Sequence, residues 1–141
     1  MKRLLIALAV TLALGACNKQ EQPQETQRDV AKAQANKQED VAEAQAKAAK
    51  DQADARKEVA DERQSGDASG TADAQKDLAK VSVDDQYKIE VERAEGDYKV
   101  AKEQCEAMPS AQQSSCKDDA KAHYESAKAE AQRKRDASRP R

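Results

Sequence analysis

The sequence predicts an all-α chain: a long Ala-rich helix followed by a disulfide-closed antiparallel helical hairpin, with flexible linkers and no large globular core. Three observations lead there. Beyond residue 16 the composition is rich in helix formers and poor in bulky apolar side chains. Eleven-residue repeats occupy residues 28–60. A heptad seam runs up to Pro109, and a second helical pattern starts directly after it.

The apolar inventory sets the limits. The chain has no Phe and no Trp. Beyond residue 16 it has one Leu (Leu78), one Ile (Ile89), one Met (Met108), three Tyr and seven Val, and the remaining apolar share is largely Ala. Burying a Leu or Phe is worth about 1.5–3 kcal/mol, whereas an Ala side chain buries little area. Such a chain cannot wall a pocket that excludes water. Ala, Glu, Lys, Gln and Arg are, however, the strongest helix formers. Long solvated helices, helix pairs or partial disorder are what this composition allows. Without residues 1–16 the chain loses Lys2 and Arg3, which takes the formal net charge from −2 to −4. That mild acidic balance gives no reason to expect nucleic acid as a partner.

The repeats read RDVAKAQANKQ from Arg28, EDVAEAQAKAA from Glu39 and KDQADARKEVA from Lys50. Asp29, Asp40 and Asp51 align, as do Ala33, Ala44 and Ala55. Eleven residues make three helical turns at about 3.67 residues per turn. The face this builds holds Val30, Ala33 and Lys37, then Val41, Ala44 and Ala48, then Gln52, Ala55 and Val59. The stripe is thin and is interrupted by Lys37 and Gln52. Its partner is left open between another copy, another helix and a membrane surface. Glu43 and Lys47 add an i,i+4 pair worth a few tenths of a kcal/mol. The helix is expected over residues 28–64. Residues 65–71 (SGDASGT) then read as a linker punctuated by Gly66 and Gly70. Residues 72–135 are the expected hairpin region, and Ser82 with Asp85 has the spacing of a helix start.

Within that region Tyr87, Val91, Ala94, Tyr98, Ala101, Cys105 and Met108 are spaced alternately by four and three residues, as in a heptad seam. Gly96 lies off the seam and costs about 1 kcal/mol relative to Ala. Pro109 stops the helix by forcing Met108 out of the α region. Ser110 and Gln113 form an S-x-x-Q box, so a second helix begins at once. One of its faces carries Cys116, Ala120, His123 or Tyr124, Ala127 and Ala131. Two helices joined by so short a turn fold back antiparallel.

The first seventeen residues are MKRLLIALAVTLALGAC. Lys2 and Arg3 precede an uncharged run, Leu4 to Leu14, that is shorter than the about 20 residues a spanning helix needs. With the small Gly15 and Ala16 after it, this reads as a secretory signal over residues 1–16. Leu14-Gly15-Ala16-Cys17 resembles the bacterial lipobox. The resemblance implies a diacylglycerol on the Cys17 sulfur, cleavage just before it, and an anchor of acyl chains such as palmitate. Several chains hold a protein stably where one gives marginal binding. An ordinary cleaved signal would instead leave Cys17 a free thiol. Asn18, where an Asp resembles an inner-membrane retention signal, points to the outer membrane, facing the periplasm. Residues 17–27, polar and with Pro23, read as a tether.

Cys105 and Cys116 remain. An even pair in an oxidising compartment reads as a disulfide. Closing a loop of this size is worth about 3 kcal/mol in the chain-entropy model. A metal site of Cys105, Cys116 and His123 is the first rival, but it lacks a fourth ligand and matches no common zinc spacing. A redox pair is the second, without a C-x-x-C motif. The plain expectation for His123 is packing against Tyr98 or Tyr124, or partial exposure. No cofactor is expected.

Two segments, AEGDYKVAKEQCEAM (94–108) and CKDDAKAHYESAKA (116–129), resemble small envelope proteins of Gram-negative bacteria, many of which begin with a lipobox. The likeness covers roughly a third of the chain. It implies two helices joined by a Cys105–Cys116 disulfide and brings no activity. Relatives read more like Gly-Asp/Asn-Ala between the cysteines, where this chain has Pro-Ser-Ala-Gln-Gln. The eleven-residue repeats are also similar to those of desiccation-protection proteins. The overall plan resembles the helical lipoproteins that tie the outer membrane to the wall through a terminal Lys. Here the last residue is Arg141, so that linkage is not expected.

Residues 132–141 carry five basic side chains and one acid, and 136–141 form a basic tail. Arg133, Lys134 and Arg135 suit the negative end of a helix. They also suit contact with lipopolysaccharide phosphates or peptidoglycan carboxylates. With a single His, no Ser/His/Asp pairing and no Gly-rich phosphate loop, an enzyme is not expected. The expected function is a structural or interaction lipoprotein that self-associates or docks other envelope helices. A stress-protective surface helix is the alternative, and a metal or redox module the third reading.

Overall fold

Helix formers run almost unbroken along the chain, and helix follows them. The computed structural model describes residues 22–140. The signal, Cys17 and the tether up to residue 21 lie outside the described residues, as does Arg141. Three α-helices account for nearly all of the rest: α1 (Pro23–Ser65), α2 (Ala68–Glu106) and α3 (Ser110–Ser138). There is no strand among the described residues. At 1.5 Å per residue the 43 residues of α1 span about 65 Å.

The fold is all-α, as expected, and of the partners left open for the repeat helix it is another helix, α2, that takes its stripe. Both α1 and α3 pack along α2, and no Cα of α1 comes within 8 Å of α3. The reason lies in which faces of α2 each helix uses. Asp85 and Gly96 meet α1. Ala94 and Cys105 meet α3. At 100° per residue, positions nine apart stand on opposite sides of a helix. The three helices therefore lie side by side in one flat layer, with α2 in the middle.

Several expected boundaries shift. α1 starts at Pro23, inside the expected tether, because a Pro fits the first helical position, where its missing N–H costs nothing. The expected linker 65–71 shrinks to Gly66 and Asp67. Gly66 closes α1 in the left-handed conformation, φ 77°. The Asp67 carboxylate accepts from the Ser69 N–H at 2.8 Å and the Gly70 N–H at 3.1 Å, which caps α2. The residues that read as a linker thus serve one tight turn. Ser82 and Asp85 start no helix; both sit mid-way along α2, already under way from Ala68. α3 continues to Ser138, three residues into the expected basic tail.

The break before α3 falls at Pro109, its N-cap residue. Ser110 is the first residue of α3 and not its cap. The Gln113 side chain reaches backward, donating at 3.0 Å to the carbonyls of both Glu106 and Met108. It satisfies carbonyls at the end of α2.

Candidate functional site: two seams on one central helix

The α1–α2 seam is built on an eleven-residue register carried by both helices. Every member of the stripe read from the repeats, Val30 through Val59, is half-buried or buried, and Ala48 and Val59 are fully so. Its partner is α2. Buried Ala74, Asp85 and Gly96 are themselves eleven apart. Lys37 lies over Gly96, Ala48 shares a groove with Asp85, and Thr26 shares one with Ala107. The same register sets Val59 opposite Ala74. Each facing pair contains one Ala or Gly, so the helices approach closely without large side chains between them. Lys37, which looked like an interruption, lays its alkyl stem on Gly96 and pairs its ammonium with Asp97.

Charges edge this seam in the same period. Asp40 pairs with Lys99 at 3.6 Å. Asp51 lies near enough to Lys88 to raise its pKa. Asp40 and Asp51, and Lys88 and Lys99, are each eleven apart. Lys88 is held above its usual 10.5 first by its hydrogen bond to Asp85, against the opposing effect of burial. Lys99 is raised first by Glu95, then by Asp40. A lysine raised in the folded state contributes its stabilisation in full below its unfolded value and loses it as pH climbs through the raised one. Thermal melts should therefore be flat in these pairs below pH 10.5 and fall above it. A loss centred near neutrality would contradict the pairing.

Asp85 is the one charged side chain buried in this seam, 2% exposed. Its Oδ1 accepts from the Lys88 ammonium at 3.0 Å, while its Oδ2 is buried without a hydrogen-bond partner among the described residues. Such an atom costs about 1–3 kcal/mol. Small residues fill the neighbouring positions of the same register, Ala74 and Gly96. Asp85→Ala is therefore expected to stabilise the chain by about 1 kcal/mol in urea unfolding, since it frees Lys88 to the solvent and orphans nothing. A loss of stability would show that Asp85 makes a bond of its own in solution.

The α2–α3 seam is the heptad read from Tyr87 to Met108. Ala94 and Cys105 are buried and the other members half-buried. Tyr98 and Tyr124 stack with centroids 5.4 Å apart. Lys102 sits over the Tyr98 ring, Lys128 over Tyr124, and the Arg135 guanidinium 4.6 Å over Tyr87. Cys105, 1% exposed, meets Cys116 with Cα atoms 5.7 Å apart, a separation a disulfide spans. Lys117 and Glu106 pair beside them.

His123 is exposed on the rim of a shallow groove with Tyr98 and Tyr124. It does not converge with the two sulfurs, which meet each other. Among the described residues no group of three or more His, Cys, Asp or Glu is placed to hold a metal ion. The basic end of α3 folds onto α2. Lys134 pairs with Glu130 at 3.1 Å and Glu90 at 3.6 Å, and Arg139 with Asp84 at 3.0 Å. Arg135 bonds Asp136 and covers Tyr87. Of the three residues expected to reach a polyanion, Arg133 is exposed and takes no part in these pairs.

Sequence reasoning missed three of these residues. Asp85 and Gly96 carry the register of α2 in residue types that read as polar and as a breaker. Gln113 was read as boxing its own helix. No described helix is long and apolar enough to cross a membrane. Comparison with protein families, with characterised proteins and with solved structures finds no match.

Proposed function

We propose that this chain is a non-enzymatic cell-envelope lipoprotein, anchored through Cys17 and serving a structural or interaction role. The observation that carries the reading is the run MKRLLIALAVTLALGAC, in which an export signal too short to span ends on a lipobox-like cysteine. The flat layer supports it. Three helices in a row leave the grooves along their seams open to solvent. A rod about 65 Å long suits a spacer or a docking post better than a reaction vessel.

In this reading the Cys105–Cys116 disulfide closes the α2–α3 hairpin, as in the small envelope proteins that the two segments resemble. Arg133 contributes most to any contact with lipopolysaccharide or peptidoglycan, with Lys134 and Arg135 held back by their pairs on α2. Partner helices or further copies would dock on the outer faces. The stress-protective alternative draws less support, because the stripe of its repeats already has α2 as a partner. Intact mass measured without reductant, on protein purified from its own membrane, tests the reading. Acyl chains on Cys17, loss of residues 1–16 and a mass two hydrogens low are expected. A chain without acyl groups would overturn it.

A further inference from the structure

The two ends of the rod differ in chemistry. At one end α1 turns into α2 among Glu62, Arg63 and Asp67. At the other, where α2 turns into α3, nine consecutive residues from Ala107 to Ser115 carry no charge, in a chain that is 37% charged. Ala107, Pro109 and Ala111 are exposed there, and Met108 is half-buried. The start of α1 joins this end: Pro23, Val30 and Ala31 line an apolar groove of about 350 Å³ together with Ala107.

We propose that this charge-poor end, where Glu25 is the acid in the first turn of α1, is a membrane-contact surface, which rests on the bilayer interface and stands the rod upright. The proposal rests on lipidation of Cys17. From Cys17 to Pro23 the chain can reach no more than about 20 Å. The anchor therefore holds this end at the headgroup layer and leaves the Ser65–Asp67 turn about 60 Å away. Entering the interface strips water from whatever enters, which charged side chains resist far more than Met, Pro, Ser or Gln. The acyl chains supply the affinity, so the end needs only a small favourable contact, made as an intramolecular step. A second copy docked end to end is the other occupant. It would bury far less than the about 1,200 Å² of a stable protein interface, whereas a lipid surface requires no such area.

The chain has no Trp, so one introduced Trp reports its own surroundings. The acylated full chain carrying Met108→Trp is placed in phosphatidylethanolamine–phosphatidylglycerol vesicles with brominated acyl chains. Ala111→Trp gives a second reporter, and Gln64→Trp reports the far end; circular dichroism checks that each folds. The Met108 and Ala111 variants are expected to lose several times more emission than the Gln64 variant. Equal quenching at all three sites means a rod lying flat, and none at Met108 or Ala111 means an end held clear of the bilayer. Either result, with acyl chains present by mass, overturns the proposal and leaves the lipoprotein reading standing. Absence of acyl chains overturns both.

Discussion

Replacing Gly96 by Ala is expected to destabilise the chain, although the same change in an isolated helix stabilises it by about 1 kcal/mol. A Cβ at Gly96 would lie 2.8 Å from Cβ of Lys37, with Cγ closer still. These atoms belong to the stem of the lysine, next to the α1 backbone, and cannot swing aside as its tip could. Either Lys37 gives up its place and its pair with Asp97, or α1 moves away from α2. Overpacking of this kind costs about 1–3 kcal/mol, enough to outweigh the gain in propensity. Urea unfolding of Gly96→Ala, Lys37→Ala and the double variant forms a cycle in which the coupling isolates the contact. The double variant should recover most of the loss. A Gly96→Ala chain more stable than the parent would mean that α1 does not lie on α2 at this register.

Replacing both cysteines, Cys105→Ser and Cys116→Ser, tests the proposed disulfide and is expected to cost about 3 kcal/mol, the loop-closure entropy of a segment this short. The effect should be local. Among the described residues α3 packs on α2 and not on α1, so its release leaves the α1–α2 pair with all of its own contacts. Helix signal equivalent to much of the 29 residues of α3 should melt early, followed by a second transition for the pair. Reduction of the parent chain should reproduce that profile, with Tyr98 and Tyr124 losing their stacking. One cooperative transition at the parent midpoint would show that the seam holds without the bridge.

These expectations divide along the line of what could be read from the chain itself. The stripe on α1 was legible because its period was kept in residue type, Val and Ala recurring at the same phase from Val30 to Val59. The Tyr87–Met108 seam was legible for the same reason, and its two tyrosines and cysteine now face α3. The side of α2 that faces α1 was not. Its buried positions also recur every eleven residues, but as Ala74, Asp85 and Gly96, three residues with no hydropathy in common. What unites them is the space they leave for α1, a property of the pair and not of either helix. The linker was misread for a related reason. Gly66 and Asp67 are loop residues in composition, but a left-handed cap and an N-cap joined back to back need no further length.

The central claim is that α1 and α3 occupy opposite faces of α2. Spin labels on Glu39→Cys and Ala129→Cys, both on exposed positions at about the same height, test it by pulsed electron resonance. Packed helix axes stand about 8–10 Å apart. The flat layer predicts α1 and α3 axes separated by about twice that, with the outward-facing labels farther apart still. A label separation short enough to place the two axes about 8–10 Å apart would mean a closed three-helix bundle and would contradict the account.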